Sequence, residues 1–100
     1  MRLHPDNRKE QIIDAAVKVA GLPGGWAKRT REAVAREAQC ADGLISKYFG
    51  TMVTFRRTIM RHAIKAANLS VVAQGLAAGD TYAKKADPEL KARALETLAG

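Results

Sequence analysis

The segment spanning residues 30–49 constrains the fold of this 100-residue chain more than any other. Its apolar residues recur at the three- and four-residue spacing of a helix on both sides of one short turn. They are small, as two closely crossing helices require. The predicted inner stripe consists of Val34, Ala35, Ala38, Ile45 and Phe49, with Cys40 as a small plug after the turn. This pattern is typical of a helix-turn-helix.

The second helix of this hairpin has a polar outer face. The spacing turns Asp42, Gly43, Ser46 and Lys47 away from the predicted stripe. A short helix exposed in this way can lie in the major groove of DNA. The hairpin therefore predicts a DNA-reading helix over residues 42–49.

The positive charge of the chain is concentrated in the part that contains the hairpin. The net charge is +7; residues 1–67 hold 13 Lys and Arg against 6 Asp and Glu, whereas residues 68–100 hold 4 of each. Such an excess favours a polyanionic partner, because phosphate contacts release counterions. A solvated basic surface is the alternative.

The remaining pattern is helical as well, and we expect an all-α fold. A first helix ends at the turn of residues 21–25, and Trp26 is expected to be a core lid packed on it, with base stacking as the alternative. Thr51 caps a long fourth helix, which we expect to run through Leu69 toward Leu76. Gly75 and then Gly79-Asp80 are expected to weaken and end it. Residues 80–86 form a connector, and residues 87–89 start a short last helix.

Residues 8–64 resemble the DNA-binding domain of the tetracycline-repressor (TetR) family. The residues that carry the resemblance are Ile12 to Ala16, Gly25-Trp26, Thr30, Val34-Ala35, Ala38, Gly43 and Tyr48-Phe49. The resemblance implies a three-helix DNA-binding domain over residues 1–64, followed by a short helical dimerisation extension over residues 65–100. It implies a sequence-specific, double-stranded-DNA-binding transcriptional regulator, most simply a repressor.

The chain departs from the family pattern at the turn and in length. Gln39-Cys40-Ala41 stands where the family prefers Gly-Val-Ser, so Gln39 is expected to adopt a left-handed conformation and Ala41 cannot cap the next helix. Only about 36 residues follow Ile64, where the family carries a larger inducer-binding domain. We therefore expect no enclosed pocket of several hundred Å³ within one subunit and no small-molecule ligand.

The extension has more apolar side chains than so short a segment is expected to bury alone. These are Leu69, Val72, Leu76, Leu90, Leu95 and Leu98. A homodimer through them would place two reading helices about one turn of DNA apart on a palindromic operator, with two dimers per site as a further arrangement. Alternatively, these residues fold back on the first four helices.

Each residue of the predicted DNA face has an expected role. Lys28, Arg29 and Arg31 are expected to meet phosphates, together with Thr30. Lys47 and Ser46 are expected to reach base edges. The other candidates are Gly43 for close approach, Leu44 for a thymine methyl, Tyr48 and Thr51 for phosphates, and Asp42 for either a cytosine amine or the helix start. Arg56, Arg57 and Arg61 either extend this basic surface or are solvated.

Other classes of protein fit the sequence less well. No nucleophile–base pair, carboxylate dyad or metal-ligand cluster is visible, so we expect neither an enzyme nor a cofactor. The N-terminal residues lack an apolar signal core and no apolar run is long enough for a membrane span, so a cytoplasmic protein is expected, of mobile-element origin given its size. A DNA-packaging or recombination accessory protein and a protein-interaction module remain alternatives.

Overall fold

The computed structural model describes the backbone of residues 5–99 and the side chains of residues 7–98, and this part of the chain is all α-helical. Seven α-helices follow one another in it: α1 (Pro5–Gly21), α2 (Gly25–Lys28), α3 (Arg31–Ala38), α4 (Asp42–Phe49), α5 (Met52–Lys65), α6 (Leu69–Ala77) and α7 (Pro88–Ala99). A 3-10 turn (Ala83–Lys85) lies between α6 and α7. The all-α prediction is confirmed.

One hydrophobic core connects the whole bundle. The helix α1 packs on α3, α5 and α6, and α6 packs on α5 and α7. Side chains that are fully or almost fully buried come from both ends of the described chain: Ile12, Val34, Ile45, Phe55, Ile59, Met60, Val71, Val72 and Ala94. The last three helices are therefore part of the same core as the hairpin.

The prediction of one long fourth helix is wrong, because α5 ends at Lys65 and α6 is a separate helix. Ala67 adopts a left-handed backbone with φ 54°, and the Asn68 amide donates to the Ala63 carbonyl at 2.8 Å. This closure is a Schellman motif, in which the left-handed position is normally a glycine. The Asn68 side chain then accepts from the Val71 amide at 3.2 Å and caps α6. Because alanine rather than glycine occupies the left-handed position, no glycine marks the end of α5 in the sequence.

Gly75 does not end α6 but lies buried within it. A Cβ at this position would overlap the Met60 Cε and crowd the Ala83 side chain. The glycine therefore lets α6 approach α5 and the 3-10 turn closely. The prediction that Gly75 weakens the helix is wrong, but the predicted end at Gly79-Asp80 is confirmed: α6 ends at Ala77, and Gly79 follows with φ 78°.

Gln74 joins α6 to the turn that follows α1. Its Nε2 donates to the Ala20 carbonyl at 2.8 Å and to the Leu22 carbonyl at 2.9 Å, while its Oε1 accepts from the Trp26 amide at 2.9 Å. The Ala20 carbonyl and the Trp26 amide lie at helix ends, where backbone groups lack helical partners, and the Leu22 carbonyl, which also accepts from the Gly25 amide at 2.7 Å, lies in the turn between them. The side chain of Gln74 thus fixes the turn from which α2 and the hairpin continue.

The six residues predicted for dimerisation are divided between the interior and the surface. Val72 is fully buried and Leu90 is 8% exposed, so both belong to the core of one chain and their assignment to a dimer surface is wrong. Leu69 and Leu76 are half-buried against that core. Leu95 and Leu98 are each 50% exposed and remain available to a partner.

The connector and the last helix form as predicted. The Asp80 carboxylate accepts from the Ala83 amide at 2.9 Å and stabilises the turn before the 3-10 segment. The helix α7 begins at Pro88, directly after Asp87. Within residues 5–99, no helix combines the length and the apolar run that a membrane crossing needs.

Candidate nucleic-acid interface

The helices α3 and α4 are joined by a turn of three residues. Gln39 has φ 56° and ψ 48°, which confirms the predicted left-handed conformation. Its amide donates to the Arg36 carbonyl at 3.2 Å, and the Cys40 amide donates to the Ala35 carbonyl at 2.9 Å. The turn thus closes by the same Schellman geometry as the end of α5. Ala41 precedes α4 without a side-chain cap, also as predicted.

The predicted inner stripe of the hairpin is buried. Val34 is fully buried, Ala35 and Ala38 are 2% exposed, and Ile45 is 1% exposed. Phe49, at 9% exposure, packs its ring against Phe55 with the ring centroids 4.8 Å apart. The two helices therefore cross through their small apolar faces, and the opposite faces remain for solvent or a partner.

The outer face of α4 consists of exposed and half-buried positions. Asp42, Gly43 and Lys47 are exposed, as predicted. Ser46 is half-buried, so it faces outward less than predicted. Leu44 and Tyr48 are also half-buried and pack against the core with part of their side chains.

Gly43 has no structural need for its missing side chain. A Cβ built on Gly43 meets no atom within 4 Å, and the residue lies in the first turn of α4 with helical backbone angles. The interior of the chain therefore does not require glycine at this position. The absence of a side chain at Gly43 leaves the helix backbone uncovered on the face of α4 that also carries Lys47.

Threonine begins both helices that flank α4. The Thr30 Oγ1 accepts from the Ala33 amide at 3.1 Å, which confirms the predicted cap of α3. The Thr51 Oγ1 accepts from the Thr54 amide at 3.2 Å and lies 3.2 Å from the Thr54 Oγ1. The Thr51 hydroxyl is thus occupied locally, whereas Thr30 keeps its hydroxyl hydrogen for another acceptor.

The basic residues near the start of α3 differ in exposure. Lys28 is exposed at the end of α2. Arg29 is half-buried, and its guanidinium carbon lies 4.0 Å from the centroid of the Trp26 ring. Arg31 is half-buried as well, and its Nε is buried without a hydrogen-bond partner among the described residues. Lys28 is therefore the freest of the three predicted phosphate contacts.

Trp26 is 4% exposed, which confirms it as a core residue, and its helix α2 packs on α1 as predicted. Its burial, together with Arg29 over the ring, leaves no free face for a base. Sequence reasoning missed this stacking pair, although a tryptophan and an arginine three residues apart were a usable signal. It also missed Gln74, for which no local pattern exists.

Burial and charge shift the acid–base behaviour of Arg29. Desolvation lowers the pKa of its guanidinium and the neighbouring charge of Arg56 lowers this pKa further, while Asp80 acts in the opposite direction. No carboxylate of residues 7–98 lies within 4.0 Å of the Arg29 or Arg56 guanidinium. Two like charges therefore face each other without an ion-pair partner.

Two of the open clefts in the described part of the chain lie outside the hairpin helices α3 and α4. One, of about 390 Å³, is lined by Trp26, Arg29, Arg56 and the loop of residues 78–81, and the other, of about 420 Å³, by residues of the α1–α2 turn, α6 and α7. Both clefts are open to solvent. The described side chains include no group of three or more His, Cys, Asp and Glu that could hold a metal ion.

Comparison with protein-family models, curated proteins and solved structures finds no match to this chain. The resemblance to the TetR family therefore stays a prediction from the residues. The case for a function rests on the geometry of the hairpin and on the distribution of charge.

Proposed function

We propose that this protein is a sequence-specific, double-stranded-DNA-binding transcriptional regulator of TetR-like architecture, which reads the major groove with α4. The observation that carries the proposal is Gly43. It leaves helix backbone uncovered on the outer face of a hairpin whose inner face is buried. Uncovered backbone next to an exposed lysine suits close approach to a base-pair edge.

The positions of the charges support the same orientation. Lys47 lies in the last turn of α4 and Lys28 lies just before α3, so both ends of the hairpin present an exposed ammonium group. Glu37, an acidic residue of α3, is drawn toward α1 by an ion pair with Lys18 at 3.0 Å. In this arrangement Lys28 and the Thr30 hydroxyl contact phosphates, and Lys47 contacts bases.

The protein acts as a homodimer in this proposal, and its dimer surface includes Leu95 and Leu98 on α7. Each of these leucines is half-exposed on a helix that otherwise buries Leu90 and Ala94 in the core. A two-fold pair would repeat the reading helix on two half-sites. The proposal includes no catalytic step and no metal.

The test is selection of bound sequences from a random duplex pool, with the mass of the complex measured in the same samples. We expect enrichment of a two-fold symmetric site bound by two or four chains. Binding without sequence preference in higher-order complexes would favour an accessory DNA-packaging protein. Binding to no duplex at physiological salt would leave the hairpin as a scaffold for a protein partner.

Two lysine variants distinguish base contacts from phosphate contacts. Lys47→Ala should weaken binding to the selected site by about tenfold and relax its base preference. Lys28→Ala should weaken all sequences alike and reduce the salt slope by about 1. Lys84→Ala, which removes an exposed lysine far from the hairpin, is the matched control. Equal losses on selected and random DNA for Lys47→Ala would contradict the assignment of Lys47.

A further inference from the structure

The 390 Å³ cleft lies between α2, α5 and the loop that follows α6. Its walls come from α2 with the following Arg29, from Arg56 on α5, and from residues 78–81 after α6. None of the DNA contacts in the proposed function, which are Lys28, Thr30 and Lys47, lines this space. It is distinct from the outer face of α4, since no residue of α4 lines it.

The Arg29 side chain is held in place within this cleft. Its guanidinium stacks on the Trp26 ring at 4.0 Å, and Trp26 itself is fixed through its amide by Gln74. The Arg29 Nε is buried and finds no hydrogen-bond acceptor among the described residues. The terminal Nη atoms of Arg29 form no hydrogen bond or ion pair with the described residues, so these donors are left for a ligand oxygen.

Arg56 brings a second guanidinium to the same cleft. It is half-buried one turn into α5, and the repulsion between the two cations contributes to the lowered pKa of Arg29. Neither arginine has an ion-pair partner among the described side chains. Two guanidinium groups on one cleft, of which Arg29 is held by the Trp26 ring, can donate to the tetrahedral oxygens of a phosphate.

Asp80 is the opposing charge in the cleft. Its Oδ2 is occupied by the Ala83 amide at 2.9 Å, which holds the carboxylate in the turn after α6. Asp80 is the single carboxylate among the residues that line the cleft, against the two cations Arg29 and Arg56. The cleft therefore keeps an excess of positive charge, and Asp80 limits how tightly an anion binds.

We propose that this cleft binds the phosphate group of a small ligand, with Arg29 and Arg56 donating to its oxygens and the Thr81 hydroxyl available beside them. The site does not depend on DNA binding by α4. Because Arg29 directly precedes Thr30, the cap of α3, an occupied cleft would also fix the start of the hairpin. The ligand is free in solution rather than a phosphate of the DNA backbone.

Titration of the full chain with inorganic phosphate at constant ionic strength tests the proposal. Trp26, the only tryptophan, reports directly on Arg29 through its fluorescence, and calorimetry supplies the affinity. We expect a saturable signal that weakens about tenfold in Arg56→Gln, because one charge-assisted donor group is lost. Asp80→Asn, which keeps an oxygen for the Ala83 amide, should bind phosphate more tightly. Arg93→Gln removes an exposed arginine of α7 and should change nothing.

The outcomes separate the two possible sources of phosphate. A saturable signal without DNA, with random duplex bound equally well by the phosphate-loaded chain, establishes a site for a free ligand. If phosphate competes with random duplex, and Arg56→Gln loses both phosphate binding and duplex binding, the cleft is a contact site for the DNA backbone and the proposal is overturned. A linear response that is identical in wild type and Arg56→Gln would also overturn it. The titration without DNA remains decisive even if the chain binds no duplex.

Discussion

The backbone amide of Trp26 donates a hydrogen bond of 2.9 Å to the side chain of Gln74, 48 residues later in the chain. The side-chain amide nitrogen of Gln74 also donates to the backbone carbonyls of Ala20 and Leu22. The C-terminal half thereby holds the turn that leads into the hairpin. We infer that α6 stabilises the proposed DNA-reading unit.

Replacing Gln74 should destabilise the whole chain. Gln74→Ala leaves three backbone groups without their partner, and we expect the free energy of unfolding to fall by about 1–3 kcal/mol. Urea unfolding followed by Trp26 fluorescence measures the change. Gln11→Ala, at an exposed position of α1, is the control and should change stability little. Equal stability of the two variants would show that the Gln74 bonds are not needed.

The turn of the hairpin should become more stable with glycine. At φ 56° the Gln39 backbone is strained by its Cβ, and Gln39→Gly should raise the free energy of unfolding by about 0.5–1 kcal/mol. Gln11→Gly, inside α1, should lower it by about 1 kcal/mol because glycine is a poor helix former. Thermal unfolding of both variants measures whether the free energy of unfolding rises in Gln39→Gly and falls in Gln11→Gly. A loss of stability in Gln39→Gly would contradict the left-handed turn.

The Gly43 prediction separates folding from DNA binding. A Cβ at this position meets no atom of the chain, so Gly43→Ala should leave stability unchanged or raise it by up to about 1 kcal/mol. If α4 lies against the bases, the same methyl group should weaken binding to the selected duplex. Thermal unfolding and duplex titration are measured on one preparation. Unchanged affinity would show that the backbone at Gly43 does not approach DNA.

Gly25 should show the opposite behaviour. A Cβ on Gly25 would overlap the Val19 carbonyl oxygen, and this backbone atom cannot move aside as a flexible side chain would. Gly25→Ala should therefore lower the free energy of unfolding by about 2 kcal/mol or more. Gly43→Ala is the matched glycine control in the same urea titration. Similar stability of both variants would refute the close packing of α2 on α1.

The oligomeric state should depend on the exposed leucines of α7. The double variant Leu95→Glu with Leu98→Glu places two charges on the proposed dimer surface. We expect sedimentation to show a monomer, and circular dichroism to show unchanged helicity. Val53→Glu changes a similarly exposed residue, 56% accessible, at the start of α5 and should leave the dimer intact. A dimer that survives the double change would exclude this face of α7.

Local sequence determined much of the hairpin. The small apolar stripe from Val34 to Phe49 and the caps Thr30 and Thr51 lie where the pattern placed them, since spacing and capping act within a few residues. The left-handed backbone at Gln39 was expected because this residue stands where the resembled family pattern has glycine. The site residues were likewise chosen by register, which fixes their face but not their exposure: Ser46 and Arg29 are half-buried.

Only the tertiary structure decided how the C-terminal half is used. Ala67 ends α5 without a glycine, because the following helix α6 gains burial on the core by turning back. That return buries Val72 and Leu90 within one chain, leaves Leu95 and Leu98 at the surface, and places Gln74 against the α1–α2 turn. Contacts between residues some 50 positions apart depend on the packing of whole helices, which no local spacing in the sequence records.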